Sequence, residues 1–238
     1  MEKLKEKNVL VVGATGSIGA HAVKLLSASG ARVFITSRDT EKLSTLITDA
    51  NLLEEDGFLM DLCHADQIDK LSDSILSKVP AIDILINASG IGIIKPFDQL
   101  TVMDLRNSLE VNLIGPFQLI QKFLPAMKEQ KKGLIIHIPG VLGKTPMAGA
   151  TAYAASKYGL NGMLKSLREE LKRTDIRITQ LFLGGVDSQF WDSIDLKVQR
   201  DKMILAEEAG KAIWFLCQQP VSGVVSEMVI QPFNHQVI

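Results

Sequence analysis

A chain of 238 residues with 26 basic and 27 acidic side chains has a formal net charge of -1, so no one-signed field draws it to nucleic acid or to an anionic membrane surface. Its two cysteines, Cys63 and Cys217, form no CxxC pair and no cluster with histidine at ligand spacing, which argues against a disulfide scaffold and a metal site. The partners that remain are small molecules and further copies of the chain. The length suits one large α/β domain covering residues 1–238. The expected compartment is the reducing cytoplasm: the charged start, Met1 to Lys7, carries no leader pattern, and no apolar run approaches the roughly 18 residues of a membrane span.

Short runs rich in Val, Ile and Leu predict strands at 8–12, 32–36, 57–60, 82–86, 134–138, 176–183 and 228–230. They lack polar alternation, the pattern of strands buried on both faces of a parallel sheet. Amphipathic stretches between them predict helices at 21–29, 67–78, 102–128, 152–172 and 207–218. The alternation implies right-handed crossovers and a three-layer, doubly wound α/β fold, its mostly parallel seven-stranded sheet covered by helices on both faces. No linker, repeat or low-complexity segment interrupts it.

The first strand runs directly into Gly13-Ala-Thr-Gly16-Ser-Ile-Gly19, which opens a helix. Glycines there let the backbone approach a pyrophosphate, and free N–H groups at the helix start bind the anion. The competing reading is an ordinary strand-to-helix turn; the flanking strand and helix favour a nucleotide held by Gly13, Thr15, Gly16, Ser17, Ile18 and Gly19. The second strand ends Ser37-Arg38, with no carboxylate before Asp39. That end favours NADP(H) over NAD(H), because a guanidinium grips a 2′-phosphate with paired donors; a solvated arginine starting a loop is the alternative. Asp61, in Asp61-Leu62, is a candidate acceptor for the adenine amino group, or a helix N-cap. Tyr153 and Lys157 stand four apart on a predicted helix, so an ammonium sits beside a phenol.

Taken together, Gly13-x-x-Gly16-x-x-Gly19, Asp61-Leu62, Asn87-Ala-Ser-Gly90, Asn112 in Val111-Asn-Leu-Ile-Gly115 and Tyr153-Ala-Ala-Ser-Lys157 resemble the short-chain dehydrogenase/reductase family over nearly the whole chain. The resemblance implies a Rossmann sheet in the order 3-2-1-4-5-6-7 with the cofactor across the carboxyl ends of its strands. It implies Tyr153 as the general acid/base, Lys157 as the cation beside it and holder of the nicotinamide ribose, and Asn112 as keeper of a water in the proton path. It also implies that Asn87, Ala88, Ser89 and Gly90 line the cofactor, and that Gly184, Val186 and Ser188 stand near the nicotinamide amide. The activity implied is reduction of a ketone or aldehyde, or oxidation of the alcohol, in a homodimer or homotetramer.

The pattern breaks at Gly140. There the family carries the serine that hydrogen-bonds the substrate carbonyl, and loss of one such donor costs about 10²–10³ in rate. Thr145, Ser89 or a water are the candidate replacements. A catalytically impaired NADP(H)-binding regulatory or scaffold protein is the alternative function. Leu183 replaces the family's proline before Gly184, and the Gly16-Ser17 pair departs from the commonest spacing. The segment 187–203, with Gln189, Phe190, Trp191 and Ile194, is expected to face substrate; Arg200 and Lys202 are read as solvated or as meeting an anionic substrate. The stripe Leu160, Met163, Leu164 and Leu167 suits either a helical interface between copies or the chain's own sheet. The tail 231–238 is expected to close the seventh strand, with His235 on the surface.

Overall fold

The computed structural model describes residues 3–220 and 222–234, which leaves His235 and the end of the tail outside the described residues. Strand β1 (Asn8–Val12) leads through the glycine turn to α1 (Ser17–Ala28). It is followed by β2 (Arg32–Ser37), α2 (Thr40–Asp49), β3 (Gly57–Leu59), α3 (Ala65–Leu76) and β4 (Ile84–Asn87). The second half comprises α4 (Val102–Leu109), α5 (Gly115–Glu129), β5 (Lys132–His137), α6 (Thr151–Leu171), β6 (Asp175–Leu183), β7 (Val186–Asp187), β8 (Ile204–Leu205), α7 (Ala206–Leu216) and β9 (Glu227–Ile230).

Seven strands form one sheet in the order β3-β2-β1-β4-β5-β6-β9, the order the resemblance implies. Every pairing is parallel, rather than mostly so. Successive residues of a buried strand feed opposite layers: Val9 and Val11 pack toward α1 and α7, while Leu10 and Val12 join the layer of α3, α5 and α6. The chain reverses winding direction between β1 and β4. The crevice at their carboxyl ends is where open α/β sheets take ligands.

Helix α2 was not expected, because only Leu43 and Leu46 on it are buried and its apolar stripe is too thin to show as periodicity. Its start was marked all the same: the Asp39 carboxylate accepts the Lys42 N–H at 3.0 Å, a standard N-cap. The predicted helix 102–128 is interrupted by a π turn at Glu110–Ile114. A small second sheet pairs β7 with β8, two-residue strands too short to register as a pattern. The stripe on α6 turns inward: Leu160 and Leu164 are buried in the core, with Met163 and Leu167 packed against it. No helix among the described residues is long and apolar enough to cross a membrane.

Close approach of α1 to β1 sets the position of the glycine turn. A Cβ at Gly19 would stand 2.4 Å from the Gly13 carbonyl oxygen, backbone against backbone with no flexible side chain to yield. Gly19→Ala is therefore expected to destabilise the fold by about 1–3 kcal/mol, read as a lower midpoint in urea denaturation.

Candidate active site

Two cavities meet over the carboxyl ends of β1 and β4. The smaller, of about 600 Å³, is lined by Gly13, Thr15, Ser37, Arg38, Lys42, Asp61 and Leu62 among others. The larger, of about 800 Å³, takes in Ser17, Ile18, Gly19, Gly140, Thr145, Tyr153, Lys157, Gly184, Val186 and Ser188. Gly16, Ala88, Ser89, Gly90 and Gln189 border both. The sheet thus brings nearly every expected cofactor residue to one continuous cleft. Asn87 and Asn112 line neither cavity and act from behind it.

At the glycine turn, the N-cap Gly16 has no side chain to satisfy the first-turn amides of α1, which leaves donors and the positive end of the helix dipole facing the cleft. Ser37 is buried and braces the turn: its hydroxyl lies 2.9 Å from that of Thr15 and accepts the Asp39 N–H at 3.0 Å. Arg38 is exposed, with its guanidinium 4.0 Å from the Asp61 carboxylate. Asp61 is not the N-cap of α3, a place taken by His64. Its carboxylate accepts the Cys63 N–H at 2.9 Å, so one oxygen shapes a turn and the other faces Arg38.

The π turn has a purpose for Asn112. Widening the helix by one residue brings its side chain against the strand-four loop, where Oδ1 accepts the Ile91 N–H at 3.0 Å and Nδ2 donates to the Ile91 carbonyl at 2.9 Å. The same amide nitrogen donates to Ser156 Oγ at 3.0 Å, tying the loop to the helix that carries Tyr153 and Lys157. Ser156 and Ile91 were not foreseen, since nothing local marks a backbone clamp.

Lys157 is 3% exposed, and its ammonium donates to the Ile138 carbonyl at 3.3 Å. Burial pulls it from 10.5 down to about 8. Its Nζ lies 5.6 Å from the centre of the Tyr153 ring, as the spacing of four requires. Burial pushes the Tyr153 phenol well above its ordinary 10.0, the reverse of the lowering expected from the neighbouring cation. The tyrosine is a firmly protonated donor. Beneath the site, fully buried His137 stands 3.4 Å from the Asn87 amide. Burial first and the Lys157 charge second hold it down at about 3, so it stays neutral.

Gly140 has φ +71°, in the left-handed region that disfavours side chains. A Cβ there would have room, 3.7 Å from the Tyr153 hydroxyl and 3.6 Å from the Leu183 carbonyl. The backbone, not the space, is what departs from a serine site. Ser89 is no replacement donor, because its hydroxyl is spent on Asn87 Oδ1 at 2.5 Å. Thr145 lines the larger cavity beside Gly140.

The segment after β7 folds over the cleft. Arg200 is exposed, as a solvated charge is expected to be, and it is also ion-paired: its Nε meets Asp187 at 2.6 Å, its Nη1 meets Asp192 at 2.8 Å, and it donates to the Ser188 carbonyl. Trp191 donates to the Val186 carbonyl at 2.9 Å. Among the described residues no cluster of three or more His, Cys, Asp or Glu forms a metal site.

A parallel α/β sheet with an anion-ready helix start, and with a tyrosine and lysine converging on the same cleft, defines a dinucleotide-binding protein of the dehydrogenase type. The short chain dehydrogenase family model matches residues 7–199, and the chain belongs to that family. It is 29% identical to a 3-oxoacyl-[acyl-carrier-protein] reductase of Aquifex aeolicus, across 95% of this chain and 96% of that protein. It is 28% identical to an uncharacterized oxidoreductase of Staphylococcus saprophyticus, across 98% and 100%. A metagenomic short-chain oxidoreductase solved in complex with NADP superposes with a TM-score of 0.84 at 29% identity, covering 98% of this chain and all of that one.

Two variants follow from these burials. Lys157→Met is expected to stabilise the fold at pH 7 by about 3 kcal/mol, the worth of a shift from 10.5 to about 8. Between those values the unfolded chain holds the proton and the fold does not, so wild-type stability rises with pH and the gap closes toward pH 10; thermal melts across pH check it. Gly140→Ser is expected to cost about 1–2 kcal/mol in backbone strain, lowering Tm by roughly 2–8 °C.

Proposed function

We propose that the chain is an NADPH-dependent reductase of ketones or aldehydes, acting on a small-molecule substrate with Tyr153 as proton donor. The observation that carries this reading is a half-buried Tyr153, its phenol held protonated, with Lys157 beside it in the same cavity as the start of α1. The residues suit the nucleotide: the glycine turn with Ser17, Ile18 and the free amides at the start of α1 would hold the pyrophosphate, Lys157 the nicotinamide ribose, and Arg38 a 2′-phosphate. Lys42, on the same smaller cavity, adds a second cation there. The preference for NADP rests on these cations and on the absence of a carboxylate at the end of β2; the metagenomic relative that holds NADP agrees with it.

When bound, NADPH supplies a hydride to the carbonyl carbon. Tyr153 transfers its proton to the carbonyl oxygen, and the product is the alcohol. The Lys157 charge stabilises the phenolate that is left and returns a proton to it. The Asn112 clamp fixes the strand-four loop and the catalytic helix relative to each other, so orientation is set before substrate arrives. Without a serine hydroxyl at Gly140, carbonyl polarisation falls to Thr145 or an ordered water, and turnover is slower for it.

A binding-only reading, in which the protein regulates or scaffolds while holding NADP(H), is favoured by one observation, the left-handed Gly140 backbone. The proposed assembly is a homo-oligomer, for which Val102, Met103, Phe117 and Tyr158 supply exposed apolar contacts on α4, α5 and α6.

NADPH oxidation over a carbonyl panel separates the two readings. We expect turnover in the wild type, its loss by about 10³ or more in Tyr153→Phe, and an unchanged NADPH affinity. NADPH binding with no turnover of any carbonyl would support the binding-only reading. For the reductase, kcat/KM is expected to fall as pH rises through about 8, where Lys157 loses its charge; a profile flat to pH 10 would remove Lys157 from the mechanism.

A further inference from the structure

Under the Phe190 ring, which lines the larger cavity, lies a notch made by a missing side chain at Gly92, and the chain fills it with that ring. A Cβ on Gly92 would stand 2.1 Å from Phe190 Cζ and 2.6 Å from Cε2, so the para edge of the phenyl ring enters the space that only a glycine leaves. The same ring lies 5.8 Å from the Tyr153 ring, tilted by 52°, and packs edge-on against Trp191 at 5.2 Å. Around it the cavity wall is Ile94, Val141, Leu142 and Met147, an apolar lining that suits an apolar occupant.

We propose that the Gly92 notch is the substrate's apolar subsite, taking the flat ring of an aryl ketone or aldehyde, and that Phe190 occupies it in the unliganded protein as a stand-in that substrate displaces. This rests on the reductase reading and supplies its substrate class. A planar C–H edge fits where Phe190 Cζ now sits, whereas a tetrahedral ring of the same size needs more depth. A carbonyl joined directly to a ring in that place is carried toward the Tyr153 hydroxyl. Glycine is required at position 92 for this geometry and for no evident turn, since its backbone is not in the left-handed region.

The strap that carries Phe190 is built to release it. Its flanks are held by the charged, short contacts of Arg200 to Asp187 and Asp192, at 2.6 and 2.8 Å. Trp191, next to Phe190, belongs with these anchors through its 2.9 Å bond to the Val186 carbonyl. At the tip, Gln189, on the other side of Phe190, is held only by long contacts: its N–H to Ser17 Oγ at 3.3 Å, and Lys42 to its Oε1 at 3.5 Å. The anchors therefore stay while the tip swings.

The test is calorimetric titration of acetophenone, and of cyclohexyl methyl ketone as a non-planar match, into wild type, Phe190→Ala and Gly92→Val, each with and without saturating NADP⁺. If the occluded form is about nine-tenths populated, freeing the notch tightens acetophenone roughly tenfold in Phe190→Ala. Filling it in Gly92→Val weakens acetophenone by at least about as much. The preference for acetophenone over the cyclohexyl ketone grows in the first variant and vanishes in the second. Acetophenone bound more weakly or equally in Phe190→Ala would make the ring a wall rather than a stand-in and overturn the proposal. So would unchanged affinity in a folded Gly92→Val, and Phe190→Ala decides alone if that variant does not fold. Failure of NADP⁺ to bind would overturn the reductase reading, while the nucleotide-free titrations still decide the notch.

Discussion

A single buried cation organises this molecule. The Lys157 ammonium sits 3% exposed at the carboxyl edge of the sheet with one carbonyl oxygen, that of Ile138, within hydrogen-bond reach. An isolated charge in such a place is unfavourable for the fold, and its neighbours are chosen to live with it. His137 behind it is held neutral, because a second positive charge there would be worse. Tyr153 beside it is a phenol and not a carboxylate, so it leaves the cation uncompensated. In the proposed reductase, stability is given up where charge must change during the reaction, the usual place for such a concession.

The rest of the cleft is rigid where that cation works and loose where a ligand would enter. Asn112 makes three hydrogen bonds that join the strand-four loop to α6, and the π turn exists to deliver its amide to them. His137, Asn87 and Ser89 form a second chain under the same loop. These explain why the loop can present Ser89 and Gly90 to both cavities without its own secondary structure. The opposite wall, the segment after β7, is fixed by Arg200 at its flanks and by the Trp191 bond to the Val186 carbonyl, with only long contacts at Gln189. An aromatic tip on a clamped base is the element able to change shape without unfolding anything.

Much of this was legible in the sequence, for identifiable reasons. The five inner strands are buried and must be apolar on both faces, so they showed as runs; the half-exposed edge strands β3 and β9 showed too, as shorter ones, and the spacing of Tyr153 and Lys157 set their shared face. Where local pattern and tertiary need diverge, the sequence misled. Helix α2 buries two leucines and gave no stripe. The apolar line on α6, equally suited to an interface, turned to the sheet, while less periodic residues such as Phe117 and Tyr158 stayed outside. Arg200 is exposed as read, but its ion pairs were not legible, because its three acceptors lie along a fold-over that no periodicity encodes. Ser89 read either as a replacement donor or as a loop hydroxyl bonded to backbone, and its hydroxyl is bonded instead to the side chain of Asn87, two residues earlier.

Gly140 shows how a missing side chain differs from a missing function. Were the position only a serine mutated away, its backbone would keep a conformation ready to take the hydroxyl back. Instead φ is +71° after Pro139, so the loop has settled into a path that glycine alone follows without strain. Two positions by the cleft lack a side chain: Gly140, where a Cβ would stand 3.7 Å from the Tyr153 hydroxyl, and Gly92, whose space the Phe190 ring occupies. The first leaves room beside the phenol now, and the second gives room only when the ring moves. In the proposed reductase, Tyr153, Lys157 and the Asn112 clamp keep their register beside that room, and orientation comes from the fit of the substrate's apolar part rather than from one hydroxyl.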